Sequence, residues 1–247
     1  MQRKTTVDAD LEQDRGMCTK YSILIAEDDA VMRNVIKVSL ERNGFRVEAV
    51  GDGMAALRSF GEGQYDLVIL DIRMPEMDGY ELCRQLRKRT TVPIIIVTSE
   101  SDIDDVVNGY ELGADIYVTK PFRPNELVLR VEALLRRVEV GKQQNDEDRL
   151  LAGTIVVNRT THQVLVDNTE IELTPNEYSM LCYFMEHPNV PISKDELLRE
   201  VWGYTEEDDA NLLRVTVRRL RAKIEPVPSD PTYLQTVRGI GYVFVTS

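Results

Sequence analysis

Hydrophobic positions follow two different patterns along this chain of 247 residues. From Tyr21 to about Val138, short apolar or β-branched runs alternate with longer amphipathic stretches. The runs are Ser22–Ala26, Arg46–Val50, Leu67–Leu70, Ile94–Val97 and Ile116–Val118. Their length and β-branched content mark them as buried strands. Val31–Arg42 is helical in pattern, with Val31, Val35, Val38 and Ser39 on one face, and Gly44 stands where a glycine closes a helix. Strand–helix alternation at this spacing predicts one α/β domain with a parallel sheet covered on both faces.

Gly141–Asp148 contains nothing apolar and reads as a linker, after which the pattern changes. Short strands are expected at Ile155–Val157, Gln163–Val166 and Ile171–Leu173. Helices follow at Asn176–His187, Lys194–Trp202 and about Ala210–Ile224. Thr174, Pro175 and Glu177 form a helix-start signature, and Ser193 with Glu196 repeats the spacing. A hairpin, Leu234–Val237 and Tyr242–Val245 about a Gly239/Gly241 turn, closes an α+β unit. The expected organisation is a polar extension over residues 1–20, an α/β domain over 21–138, a linker over 139–149 and a second domain over 150–247.

Composition adds exclusions. Apolar content of 43% supports real cores, yet no run approaches the roughly 20 apolar residues of a membrane helix. The first 20 residues lack a signal-peptide apolar segment, and Met17 could itself be the natural start. Cys18, Cys83 and Cys182 have no metal-ligand spacing, so reduced thiols in the cytoplasm are expected. The net charge of −12 argues at first against nucleic acid. Charge is segregated, however: Arg214, Arg218, Arg219, Arg221 and Lys223 lie within Asn211–Ile224 with no acid among them.

Ligands of parallel α/β sheets bind beyond the carboxyl ends of the strands. Those ends carry Glu27, Asp28 and Asp29; then Asp71; then Thr98 and Ser99; then Lys120. One acid after a strand is ordinarily a turn or cap residue. Four strand ends with complementary groups predict a shared pocket. Clustered carboxylates raise one another's pKa unless a cation intervenes, and Mg²⁺ takes hard oxygen ligands beside phosphate. The chemistry expected is acceptance of a phosphoryl group on a carboxylate, with metal and lysine neutralising the transferred charge.

The segments Ile23–Asp29, Ile69–Gly79 and Tyr117–Phe122 resemble receiver-domain signatures. That resemblance implies a flavodoxin-like, doubly wound sheet of five parallel strands. It implies Asp71 as phospho-acceptor, and Mg²⁺ held by Asp28, Asp71, the Arg73 carbonyl and, through water, Glu27. Lys120 and Thr98 would meet phosphate, Tyr117 would reorient, and the Lys120–Pro121 bond would be cis. A sensor histidine kinase is the implied partner.

In the second half, Leu213, Val217, Leu220 and Ile224 share one helical stripe. The opposite face is expected to present Asn211, Val215, Arg218, Arg219 and Ala222 to a DNA groove, flanked by Arg214 and Arg221 on one side and by Thr216 and Lys223 on the other. A solvated basic face is the plainer alternative. Leu173–Tyr178, Glu196–Gly203 and Thr236–Tyr242 resemble the winged helix-turn-helix of OmpR/PhoB-type regulators. By that resemblance Arg219 reads a base of double-stranded DNA, Arg218, Arg221 and Thr236 contact its backbone, and Arg238 enters the minor groove. Arg214 departs from the family, which usually has an acid there. The acidic loop Tyr204–Asp209 corresponds to one that meets RNA polymerase in relatives, or is simply a solvated loop.

Active relatives dimerise through the last two helices and last strand of the receiver. Of the ion-pair positions implied there, Asp115, Glu126, Arg130 and Arg137 match, whereas Val106 and Ile116 replace charged residues. The leading expectation is a phosphorylation-controlled, homodimeric transcription regulator that is not an enzyme. The alternative is a DNA-binding regulator whose receiver acts without phosphate as a dimerisation or partner surface. An aspartyl-phosphate hydrolase fits poorly, because its nucleophile would follow the first strand and the DNA-binding half would go unexplained.

Overall fold

The computed structural model describes residues 21–99, 111–140, 149–202 and 210–246. In the first domain β1 (Ser22–Ala26), β2 (Arg46–Val50), β3 (Leu67–Leu70), β4 (Ile94–Thr98) and β5 (Ile116–Thr119) form a parallel sheet in the order β2-β1-β3-β4-β5. The helices are α1 (Ala30–Arg42), α2 (Gly53–Glu62), α3 (Gly79–Arg87) and α4 (Pro124–Val140). Strand alternation sorts the core. Ile23 and Ile25 of β1 join Ile36 and Leu40 of α1 and Leu127, Val131 and Leu134 of α4. Leu24 and Ala26 point the other way, toward Ala56 of α2 and Leu82, Cys83 and Leu86 of α3. A fully buried Leu or Ile contributes roughly 1.5–3 kcal/mol, and burial on both faces is why β1, β3 and β4 read as continuous apolar runs.

One helix face differs from the sequence expectation. Val31 and Val35 are 74% and 38% exposed, while Ile36 and Leu40 are buried. At about 100° per residue, Ile36 lies roughly 140° around the helix from Val31. The stripe that packs is therefore Met32, Ile36 and Leu40, and the valines are a misleading apolar row. Asn43 caps α1, and Gly44 follows in the left-handed region at φ 84°.

The second domain begins with the antiparallel sheet β6 (Arg149–Ala152), β7 (Ile155–Asn158), β8 (Gln163–Val166) and β9 (Thr169–Ile171). β6 has little trace in the sequence because it follows directly on the polar stretch and is only half buried. β9 lies two residues earlier than expected. Asp167 and Asn168, at φ 51° and 61°, make a two-residue hairpin turn that pairs Val166 with Thr169. Then come α5 (Pro175–Glu186), β10 (Ile192–Ser193), α6 (Lys194–Leu197) running into a π-helical turn at Leu198–Trp202, and α7 (Ala210–Ile224). A hairpin, β11 (Leu234–Val237) and β12 (Gly241–Phe244), pairs with β10 to complete a second sheet. Gly241 is required there, since a Cβ would lie 2.1 Å from the Ile192 carbonyl oxygen.

Leu213, Val217, Leu220 and Ile224 of α7 are buried, as the stripe predicts. One apolar cluster runs continuously from the α3 side of the first sheet into the core of the second domain. Among the described residues, no helix is long and apolar enough to cross a membrane.

Candidate functional site

The carboxyl ends of β1, β3 and β5 meet. The Asp71 amide donates to the Ala26 carbonyl at 2.9 Å, which fixes the two strand ends side by side. Glu27, Asp28 and Asp71 each offer an oxygen within 4.8 Å of the others. Lys120 Nζ reaches across from the end of β5, donating to Glu27 at 2.9 and 2.8 Å and to Asp71 at 2.6 Å. Glu27 and Asp71 are buried and Asp28 is exposed, so the cluster opens to solvent on one side.

Burial pushes the Glu27 carboxyl up to about 7, against the hydrogen bond from Lys120 and with help from the neighbouring Asp71 charge. Burial alone would lower the Lys120 ammonium, but its hydrogen bonds to Asp71 and Glu27 raise it. A second positive centre in this cleft would relieve both carboxylates. Hard oxygen donors at this spacing, with one side open for water, suit Mg²⁺.

Local backbone chemistry holds the pocket in place. Asp29 caps α1, accepting from the amides of Val31 and Met32 at 2.8 and 2.9 Å, so this acid is committed to the helix. Arg33, one turn on, donates to the carbonyls of Glu27 and Asp28 at 2.6 and 3.1 Å. The loop after β3 folds back so closely that a Cβ on Gly79 would lie 2.1 Å from the Asp71 carbonyl oxygen. Asp78 then caps α3 by accepting from the Glu81 amide. The Arg73 amide approaches Asp71 Oδ1 at 3.3 Å. Thr98 is buried at the end of β4, where its carbonyl accepts from the Lys120 amide, and Tyr117 is buried in the cluster beneath. The Lys120–Pro121 bond is cis.

A second set of residues converges on α7 and the terminal hairpin. Arg221 donates to the Leu234 carbonyl at 2.8 Å and to Thr236 Oγ1 at 2.9 Å, tying the helix to β11. Arg238 is exposed at the hairpin tip, and Arg214, Arg218 and Ala222 form a row along the outer side of α7. Two expectations need correction. Arg219 does not share that row: its side chain is only 19% exposed and pairs with buried Glu177 at 2.9 Å. Val215 is buried as well, so the open face is narrower than the helical projection implied. Lys223 also turns inward, to Glu177 at 2.6 Å.

The expected receiver dimer face is altered too. Asp115 is 1% exposed and pairs internally with Arg87 at 2.8 Å, and Ile116 is buried in the core. Neither side chain is available at a surface. Glu126 and Arg130 pair with each other along α4. Arg137 lies in the same helix, with its side chain outside the described residues, as are Val106 and the loop Tyr204–Asp209.

Several working residues leave no sequence signal. Arg33 and Arg87 sit in ordinary amphipathic helices, and only the fold shows what they reach. Glu177 is legible as the helix-start acid that accepts from the Thr174 amide, but its pairing with Arg219 and Lys223 is not. Glu225 follows α7, where an acid is unfavourable to the helix dipole. It is offset by amide donors from Thr232, Tyr233 and Leu234 that anchor the hairpin.

Known proteins match along both halves. The profile described as "Response regulator receiver domain" matches residues 23–132, and "Transcriptional regulatory protein, C terminal" matches residues 168–244. The "DNA-binding response regulator MtrA" of Mycobacterium tuberculosis (strain ATCC 25618 / H37Rv) is 40% identical over 223 residues, covering 90% of this chain and 96% of that protein. The "Probable transcriptional regulator ycf27" of Porphyridium aerugineum is 40% identical over 230 residues, covering 91% and 96%. Among solved structures, that of a point mutant of RitR aligns over 92% of this chain and 100% of its own, with a TM-score of 0.73 at 25% identity.

Proposed function

The chain belongs to the response regulators that join a receiver to an OmpR/PhoB-type DNA-binding domain, and from that membership we propose that Asp71 accepts a phosphoryl group from a sensor histidine kinase to control binding of double-stranded DNA in the cytoplasm. The observation that carries the reading is the convergence of Glu27, Asp28, Asp71 and Lys120 from three strand ends.

An Asp71 oxygen attacks phosphorus, and the bond from phosphorus to the donor's imidazole nitrogen breaks, the imidazole leaving with the electron pair. Glu27, Asp28, Asp71 and the Arg73 carbonyl would hold Mg²⁺, which supplies positive charge to the phosphoryl oxygens. Lys120 and the Thr98 hydroxyl neutralise and hydrogen-bond the remaining oxygens. Tyr117, buried beside β4, would report the change at Thr98 to the surface.

On DNA, Arg214 and Arg218 face the duplex, Arg221 with Thr236 grips the backbone, and Arg238 in the wing approaches the minor groove. Phosphorylation favours a homodimer through α4, where Glu126 and Arg130 are the charged residues at hand. The loop Tyr204–Asp209 would face RNA polymerase.

Incubation with acetyl phosphate and Mg²⁺ tests the acceptor. Intact-mass measurement should show a gain of one phosphoryl group in the wild type and none in Asp71→Ala. No gain in either protein would favour a receiver that works without phosphate.

A further inference from the structure

Arg33 stands at the end of the first turn of α1, its amide donating to the Asp29 carbonyl at 2.8 Å. Long side chains on a helix lean back toward its N-terminus, and that of Arg33 reaches the chain before the helix. Its Nη1 donates to the carbonyls of Glu27 and Asp28, at 2.6 and 3.1 Å, so one nitrogen spans two successive peptide groups. The guanidinium sits in a fitted corner. The Glu27 amide donates to the Val50 carbonyl at 3.1 Å, joining the ends of β1 and β2, and Gly51 comes next. A Cβ on Gly51 would lie 3.3 Å from Arg33 Nη1 and 3.7 Å from Cζ, so the bare glycine leaves the room that the guanidinium fills.

A cation in the first turn works against the helix dipole, and the two charge-assisted bonds to carbonyls offset that cost. Those bonds fix the peptide planes that follow Glu27 and Asp28. The planes in turn fix where the two side chains leave the backbone. Glu27 is aimed at Lys120, and Asp28 joins the oxygen cluster with Asp71.

We propose that Arg33 is a positioning residue for Mg²⁺, holding the backbone of Glu27 and Asp28 so that their carboxylates stand ready beside Asp71; the inference rests on the phosphoryl-acceptor reading above. The sign of its effect separates this role from simple electrostatics. As a charge alone, Arg33 repels a divalent cation in the cleft, and its loss would tighten Mg²⁺ binding. As a positioning group it does the reverse, and its loss weakens binding. Groups that orient metal ligands from behind contribute about 10- to 100-fold in metal affinity. The lower end applies to Arg33, which acts through the backbone of the acids.

The test titrates Mg²⁺ into the full-length, unphosphorylated protein and follows amide NMR shifts, with melting measured for each variant and phosphoryl gain from acetyl phosphate read by intact mass. Arg33→Met keeps the apolar stem and removes the donors. Its Mg²⁺ dissociation constant should rise about tenfold, and the Mg²⁺ needed for half-maximal phosphoryl gain should rise in parallel. Arg33→Lys keeps the charge but loses the planar fork, and should show a smaller rise. Lys37→Ala removes a partly exposed charge one turn further along α1 and should stay within about twofold of wild type. A folded Arg33→Met with unchanged or tighter Mg²⁺ binding overturns the role. If Arg33→Met does not fold, Arg33→Lys decides, an unchanged dissociation constant counting against positioning. A wild type that neither binds Mg²⁺ nor gains a phosphoryl group overturns the acceptor reading, and this role of Arg33 with it.

Discussion

Among single residues, geometry separates the acids that share one pocket from the acid that caps a helix. Glu27, Asp28 and Asp29 are consecutive, yet Asp29 commits its side chain to the amides of α1, Glu27 is buried against Lys120, and Asp28 stays open to solvent. The cluster is legible in the sequence because strand ends in a parallel sheet point to one place. Arg33 and Arg87 are not, because an arginine in an amphipathic helix looks like any solvated cation until its partner is known. Arg219, expected on the outer face of α7, instead pairs with buried Glu177. Gly79 is the sharpest test of the pocket's local build, since any Cβ meets the Asp71 carbonyl oxygen. Gly79→Ala should destabilise the receiver by about 1–3 kcal/mol or more, by the general cost of overpacking, and should slow phosphorylation by acetyl phosphate. Calorimetry and intact-mass kinetics measure the two effects. Unchanged melting would mean that the loop after β3 relaxes freely.

Among the helices and strands, period and burial explain both the agreement and the misses. β1, β3, β4 and β5 are legible as short apolar runs, since a strand buried on both faces leaves a nearly uninterrupted hydrophobic trace, whereas the edge strand β2 alternates exposed Arg46 and Glu48 with Val47, Ala49 and Val50. The core face of α1 is easily misread because Val31 and Val35 form an apolar row that stays outside the core. β6 and β10 escape notice, being short and partly polar, and β9 is displaced because the left-handed Asp167–Asn168 turn sets its register. The terminal hairpin is legible from its glycines, but its attachment to α7 through Arg221 and Thr236 is not. That attachment makes a prediction. Arg221→Ala should weaken binding about equally across DNA sequences and reduce the salt slope of log K by roughly 1, as expected for loss of one phosphate contact. Titrations at several salt concentrations would reveal it. A change in sequence preference with an unchanged slope would instead assign Arg221 to base reading.

Across the full chain, the two domains share an apolar cluster, and the receiver's edge meets α7 at Glu111. With Asp115 and Ile116 buried, the charged residues left for a receiver dimer are fewer than the family pattern implies. Exposed ion pairs contribute only about 0–1 kcal/mol each. The phosphorylated receiver should therefore dimerise with weak salt dependence, and sedimentation at low and high salt would test this, marked dissociation with salt counting against it. Above all, a phosphoryl group at Asp71 should govern the DNA-binding half from a distance. Duplex affinity of the full-length protein, measured before and after treatment with acetyl phosphate and Mg²⁺ and with Asp71→Ala alongside, addresses that coupling without intermediaries. Binding should tighten after treatment in the wild type and stay unchanged in Asp71→Ala. Equal wild-type affinities before and after treatment, with phosphorylation verified by mass, would show that the two halves are not coupled through Asp71.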